Sequence, residues 1–388
     1  MKLRLPEYFV DFACIGGKCT DSCCVGWELD IDEDTFEYYR TVPGPFGERL
    51  RLSMSEENEA RGSGDESGVF GSEGDHTFRL RVDGRCPFLN KENLCDIVLN
   101  LGPEALCTVC SEYPRYTFQL GDTIEKSLTL SCPEVGRLIF TMIRPMGFTV
   151  TDLGDTMLGD CDEEPLTDDE ETFCRGIARV RDRALALLSD RPRPLPERIG
   201  RFLNYCRAVQ TFLNEHETAE IPADELAFDE SASVGADFLP GDLPDFSGRL
   251  EILGELEVLD DRWTHALASL TAMEEEGTYE ERLRAYLTSR AGDPLDDYEF
   301  LLCYFVNRYF PRAAYDSDVL GKARLSLFGL LTVRDLDCAR FHENGGRFSF
   351  SDRIDTSKIY SKEVEHSDEN LDLIAEELTF FEKSVVYF

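Results

Sequence analysis

Cysteine placement constrains this chain more than any other feature. Nine of its fourteen cysteines fall between Cys14 and Cys132. They form four groups: CIGGKCTDSCC (Cys14, Cys19, Cys23, Cys24), RCPFLNKENLC (Cys86, Cys95), LCTVCSEYPR (Cys107, Cys110) and SCPE (Cys132). Thiols this dense either pair as disulfides or hold metal, and the redox compartment decides between the two. In the opening MKLRLPEYFVDFACIGG, Asp11 and Gly16 interrupt any apolar stretch, and no small-residue cleavage site follows. No apolar run approaches the roughly 18 to 20 residues of a membrane span. A cytoplasmic, reducing location is therefore expected, with thiols that hold metal.

Charge excludes other classes of partner. Forty basic residues against seventy-seven acidic ones give a net charge of −37. Such a surface repels phosphate backbones and anionic lipid, so neither nucleic acid nor membrane is an expected partner, whereas cationic groups such as lysine side chains are attracted. The 388 residues, 42% of them hydrophobic, can bury a sizeable core.

Periodicity divides the chain into a cysteine-rich domain over 1–145, with short strands and helices, and a helical domain over 160–388. The expected class is mainly α (α+β). In the first part, WELDI alternates like a strand, and Asp32 or Asp34 caps a helix carrying Phe36, Tyr38 and Tyr39. Residues 56–75 form a polar, acidic, Gly/Ser-rich insertion expected to be mobile. HTFRLRVDG reads as a strand ending in an Asp-Gly turn, and PEALCTVCSEYP as one helix from Pro103 to Pro114. RYTFQL and TIEKSLTL, joined by GD, predict a hairpin. Its second strand delivers Cys132 to the start of a helix running to about Met146, with Pro133 in the first turn. Beyond residue 160, TDDE at Thr167 is a capping box opening a helix to about Leu188. Another follows RPRPLP, then an exposed acidic loop over 217–246, then helices near 248–275, 279–290, 295–310, 316–338 and 356–382.

Thiolates suit zinc, which takes four ligands in a tetrahedron, and iron–sulfur clusters. Cys107-x2-Cys110 occurs with both. Cys86-Pro87 and Cys132-Pro133 tilt toward iron–sulfur, because proline follows the last ligand of ferredoxin runs. Side chains of the adjacent Cys23 and Cys24 diverge, so the two need not serve one ion. Cys161, Cys174, Cys206, Cys303 and Cys338 are expected to be buried as small apolar side chains. The histidines are scattered without metal-binding spacing, and no Walker, GxSxG or Rossmann signature is present.

The run Cys19-x3-Cys23-Cys24 followed by GW, then CPFL with Cys95, then LCxxCxxYPR and SCPE, resembles the flagellin lysine N-methylases. The likeness covers about residues 10–140, with a weaker one at YSKEVEHSDENL (360–371). It is similar, more distantly, to a wider set of zinc- or iron-chelating cysteine-rich proteins. The resemblance implies a cytoplasmic enzyme that moves a methyl group from S-adenosylmethionine to lysine side chains of flagellin, with a [4Fe-4S] cluster. Carried over by motif, ligands come from Cys19, Cys23, Cys24, Cys86, Cys95, Cys107, Cys110 and Cys132, together with Cys14. Lysine must lose a proton before it attacks a methyl group, its reference pKa being about 10.4. Tyr113, Tyr116, Glu134, Tyr360 and Glu365 lie near the motifs and could take part, although the sequence assigns no catalytic or S-adenosylmethionine-binding residue. Two other classes fit the cysteines: a zinc-stabilised protein-binding module and an iron–sulfur electron carrier.

Overall fold

The computed structural model describes residues 1–26, 29–55, 76–154, 166–292 and 295–385. Trp27, the insertion at 56–75 and Cys161 lie outside the described residues. Strand β1 (Lys2–Pro6) opens the chain, and β2 (Asp30–Ile31) leads into α1 (Glu33–Thr41). Asp32 caps α1, its carboxylate accepting from the Thr35 N–H at 3.0 Å. After α2 (Gly44–Ser53), β3 (Met54–Ser55) and β4 (His76–Phe78) join β2 in an antiparallel sheet ordered β2-β4-β3. The strand expected to run on toward Gly84 stops at Phe78. The chain turns there, and the Arg81 N–H pairs with the Arg85 carbonyl at 2.9 Å instead of with a neighbouring strand.

Helix α3 (Asp96–Leu101) precedes α4 (Thr108–Glu112). The single helix expected from Pro103 is two pieces, because Leu106 and Cys107 are extended between a 3-10 turn at Pro103–Ala105 and α4. The hairpin forms as read: β5 (Arg115–Leu120) and β6 (Thr123–Leu128) place Leu120 opposite Thr123, and Gly121 supplies the positive φ of the turn. Cys132 then stands at the N-cap of α5 (Pro133–Phe140). That helix ends short of Met146, where the Thr141 hydroxyl turns back to the Arg137 carbonyl at 2.7 Å. With β7 (Phe148–Asp152), the larger sheet has the order β5-β6-β1-β7; β1 runs parallel to β6 and antiparallel to β7.

The remainder is helical: α6 (Asp168–Leu188), α7 (Leu195–Glu215), α8 (Phe246–Gly254), α9 (Asp261–Glu275), α10 (Tyr279–Ser289), α11 (Asp296–Tyr309), α12 (Ala313–Asp316), α13 (Val319–Glu343), α14 (Phe350–Val364) and α15 (Asp368–Val385). Thr167 and Glu170 form the expected capping box on α6. The helix read over 248–275 is divided into α8 and α9 because the N–H groups of Leu259 and Asp260 bond to Glu363 of α14 at 2.9 and 3.2 Å. The helix read over 356–382 is likewise divided, with the Asn370 amide donating to the carbonyls of Glu257 and Glu363 at 3.0 and 2.9 Å. The 217–246 segment is irregular but not simply exposed, since Ile221, Ala223, Phe238 and Leu243 are buried. Among the described residues the class is therefore mainly α with two small sheets, and no helix is long and apolar enough to cross a membrane.

Apolar packing forms two cores. The smaller joins residues between Leu29 and Cys107, around Tyr39 and Phe88. The larger is centred on α11 and α13 and takes in Tyr8, Leu128, Leu130, Val135 and Ile139. Helix α13 is buried on nearly every side, as a helix running through a core must be, yet it carries charges that are paired. Asp335 accepts from Arg249 at 2.5 Å, and Asp337 pairs with Arg353 at 2.6 Å and accepts from Tyr298 at 2.7 Å. Between sheet and helices, Arg181 of α6 grips Glu125 of β6 with both terminal nitrogens, at 2.5 and 2.7 Å. Arg4 of β1 adds contacts to Asp182 at 2.7 Å and Asn307 at 3.0 Å.

Removing one partner of a buried ion pair strands the other charge, at a cost of about 3 kcal/mol or more. Arg181→Leu should lower unfolding stability by about that amount in denaturant titrations, and Arg181→Leu with Glu125→Leu should recover most of the loss. Acid tests a second pair. Burial alone would raise the Asp297 carboxyl, but Arg353 and Arg290 hold it down to about 2, below its ordinary 3.8. Its stabilisation is complete above about pH 4 and is lost as pH falls through about 2, a contribution of about 2 kcal/mol. Asp297→Asn should flatten that part of the pH–stability curve.

Candidate functional site

The nine clustered cysteines are free thiols and gather into two neighbouring groups. The first belongs to the smaller core: Cys86 and Cys107 are buried in it, and Cys24, Cys95 and Cys110 pack against it. Backbone bonds set their positions. The Cys86 N–H donates to the Cys24 carbonyl at 2.8 Å, and Cys95 bridges to Leu89 before standing at the N-cap of α3. Cys107 caps α4, so that Cys110, three residues on, lies on the same face. The Cys110 thiol is pushed far up, first by the hydrogen bond with Cys107 and then by burial and by the charges of Cys107, Cys24 and Cys86. Cys107 is lowered by that same bond. Burial pushes Cys86 up to about 12, with Cys24 and Cys95 adding to it. The fully buried Tyr39 closes this group, its phenol donating to the Ala105 carbonyl at 2.6 Å.

The second group comprises Cys14, Cys19, Cys23 and Cys132. Burial pushes Cys132 up to about 11, with Cys19 and Cys14 contributing. Cys23 is raised first by the hydrogen bond with Cys24, and also by Cys14 and Cys132, while Cys24 is lowered to about 7 by the same bond. The adjacent pair thus joins the two groups. The loop that carries it is fastened to the helical body by Asp21, which takes Arg262 at 2.6 Å and Lys358 at 2.9 Å. Burial alone would raise the Asp21 carboxyl, but these two cations hold it below the ordinary carboxylate range.

The donor chemistry fits a thiophilic metal: soft ligands, crowded together, at element ends where free backbone N–H groups support thiolates. The thiols do not form a closed ligand shell, since among the described residues no three His, Cys, Asp or Glu side chains stand close enough to hold an ion. Cys174, Cys206, Cys303 and Cys338 are buried apolar side chains, as expected.

Beneath the second group runs a buried polar network, and it collects residues singled out near the motifs. Tyr113 shares its hydroxyl hydrogen bond with Ser131 at 3.1 Å, and Ser131 meets His366 Nε2 at 2.8 Å and Thr129 at 3.1 Å. Thr129 continues to Ser361 at 3.2 Å; Ser361 and Tyr304 both donate to Glu365, the latter at 2.8 Å. The Arg308 guanidinium lies 3.6 Å from Glu365 and 3.8 Å from the centre of the Tyr116 ring. Tyr360 is buried in the same region, with Glu365 pushing its phenol upward after burial itself. Glu134 stands apart, clasping Arg137 at 2.6 Å. As a lone histidine His366 has no diagnostic spacing, and its one sequence signal is its place directly after Glu365. Burial, then Arg308 and Lys362, lowers it to about 3, so it is a neutral imidazole at neutral pH. A cleft of about 30 Å³, space for a water or two, opens beside Tyr116 and Arg308.

Comparison with known proteins bears on this arrangement. The "Flagellar biosynthetic protein FliU" of Salmonella muenchen is 28% identical over 133 residues, 34% of this chain and 72% of that protein. Proteins named "Lysine-N-methylase" from Salmonella typhimurium and Salmonella choleraesuis are also 28% identical over 133 residues, but the match spans only 30% of each. No solved structure matches. The family described as "FliB lysine N-methylase C-terminal domain" matches residues 181–385, from Arg181 through Glu365 and His366 into α15. That match takes in more than half of the sequence, and the chain belongs to the FliB lysine N-methylase family.

Proposed function

We propose that this protein is a cytoplasmic protein-lysine N-methyltransferase that takes its methyl group from S-adenosylmethionine and acts on flagellin. Family membership carries the reading, and the flagellar name of one relative supports the substrate. The geometry agrees with it: a thiol-rich surface lies over buried hydroxyl, carboxyl and imidazole groups able to handle the proton that lysine must shed. In the transfer, the amine lone pair forms the N–C bond as the methyl C–S bond breaks, and the pair leaves with sulfur. A neutral amine is required, and at neutral pH that means removing a proton from a group whose free pKa is about 10.4.

The thiols would hold metal in this reading. Cys24, Cys86, Cys95, Cys107 and Cys110 form one donor set, and Cys14, Cys19, Cys23 and Cys132 the other. A [4Fe-4S] cluster so held would supply a redox-active centre, and zinc would supply a structural one.

Protein purified without oxygen, supplied with S-adenosylmethionine and flagellin, should yield flagellin lysines carrying added methyl groups by peptide mass spectrometry. Cys86→Ser, Cys110→Ser and Cys132→Ser should each lower metal affinity roughly tenfold or more, since even the partners of ligands cost that much. Unmodified lysines with metal-loaded protein would overturn the methyl-transfer reading. Full metal content in all three variants would overturn the assignment of the thiols.

A further inference from the structure

The hydroxyl groups between Tyr113 and Glu365 form an unbroken chain with one end near the surface and the other dry. Tyr113 and Cys132 are partly exposed, whereas Thr129, Ser131, Ser361 and Glu365 are buried. Each step is within hydrogen-bond reach: Tyr113 to Ser131 at 3.1 Å, Ser131 to Thr129 at 3.1 Å, Thr129 to Ser361 at 3.2 Å, and Ser361 to Glu365. Every hydroxyl in it can give one proton while taking another. His366, neutral, braces the middle through Ser131 at 2.8 Å and Thr129 at 3.3 Å. Packing alone does not call for five polar groups in a row inside a helical core, where each must be satisfied or cost stability.

The inner end has a further peculiarity. Glu365 Oε2 takes the two hydrogen bonds, from Tyr304 and Ser361, while Oε1 has none and faces Arg308 Nε at 3.6 Å. The buried hydroxyls of Tyr309 and Tyr360 lie in the same pocket of polar groups without a well-aligned hydrogen bond. Arg308 and the hydroxyl donors favour the anion, while burial favours the neutral acid, so the carboxyl is held between its two states. We propose that Glu365 is a proton-storing positioning residue, and that the chain Tyr113–Ser131–Thr129–Ser361 delivers to it the proton shed by a substrate lysine bound at the Tyr113–Cys132 edge.

The inference rests on the lysine-methylation reading and deepens it. The lysine N–H bond breaks and an O–H bond forms on Tyr113 as Tyr113 hands its own proton to Ser131. Ser131, Thr129 and Ser361 each pass one proton on, and the Glu365 carboxylate ends as a carboxylic acid. No electrons are gained or lost, and neither Tyr113 nor Ser131 changes its protonation state overall. Once the methylated lysine leaves, the proton returns to solvent along the same chain. Burial raises the Glu365 carboxyl above its usual range, against the pull of Arg308. The other groups facing it are Tyr304 and Tyr309 of α11, Tyr116 of β5, Tyr8 of the N-terminal segment, and Tyr360 and His366 on either side of it in sequence.

Infrared difference spectra on adding flagellin without S-adenosylmethionine test the relay apart from methyl transfer. Wild type should gain a protonated-carboxyl band that Glu365→Gln abolishes and that Thr129→Val, which keeps the shape but removes the link, suppresses. No band in wild type, or an equal band in Thr129→Val, would overturn the relay. A band without methylated product, once S-adenosylmethionine is added, would sink the methyl-transfer reading and leave the relay standing. With turnover, both variants should lose about a hundredfold in rate at pH 7, the low end of what a positioned proton acceptor contributes, and regain it as pH nears the lysine pKa of about 10.4. Folded variants whose pH–rate profile keeps the wild-type shape would contradict the proposal.

Discussion

The clasp of Arg181 on Glu125 is the interaction on which the placement of everything else depends. It is bidentate, fully enclosed, and spans from α6 to β6. Strand β6 continues directly into Thr129, Ser131 and Cys132, so fixing Glu125 against the helical body also fixes where the last clustered thiol and the first hydroxyls of the buried chain stand. Parallel pairing of β1 with β6 reinforces it, because Arg4 reaches from β1 to Asp182 and Asn307 across the same seam. Such a pair adds little net stability over apolar residues of the same size. It does specify one register of sheet on helices, since a slip by one residue would leave a buried guanidinium unpaired.

The same distribution of charge shapes the surface. Among the described residues, eleven basic side chains are buried against seven acidic ones, although the chain as a whole carries nearly twice as many acids as bases. Cations are drawn inward to pair with carboxylates on α11, α13 and α14, and the excess of acid is left outside. A surface so biased attracts cationic groups over the Debye length, about 10 Å at 0.1 M salt, and repels polyanions.

Local signals were legible in the sequence and long-range ones were not. The hairpin at 115–128 announces itself by two alternating strands and a two-residue turn, and the Thr167–Glu170 capping box by its spacing. Strand β1 carries no comparable signal, because KLRLP becomes a strand only through a partner more than a hundred residues away. The break between α14 and α15 has no proline or glycine to mark it, that between α8 and α9 only Gly254, and both depend on Glu363 and Asn370 bonding across the interior. The cysteines point to the site through their density, the Cys107-x2-Cys110 spacing and the Cys-Pro pairs. What density could not reveal is that Cys23 and Cys24 join two thiol groups, or that Ser131, Thr129 and His366 connect one of them to Glu365; hydroxyl residues and a single histidine have no diagnostic spacing.

The proposed function requires the thiol groups and the helical body to act as one lysine-methylating unit. The most direct measurement is a graded reconstitution: protein loaded anaerobically with increasing iron and sulfide, each sample assayed for bound metal and for methyl transfer to flagellin. Activity that rises in proportion to metal bound, and that is absent in the metal-free sample, is the predicted result. Full methyl transfer by protein shown to hold no metal would contradict it.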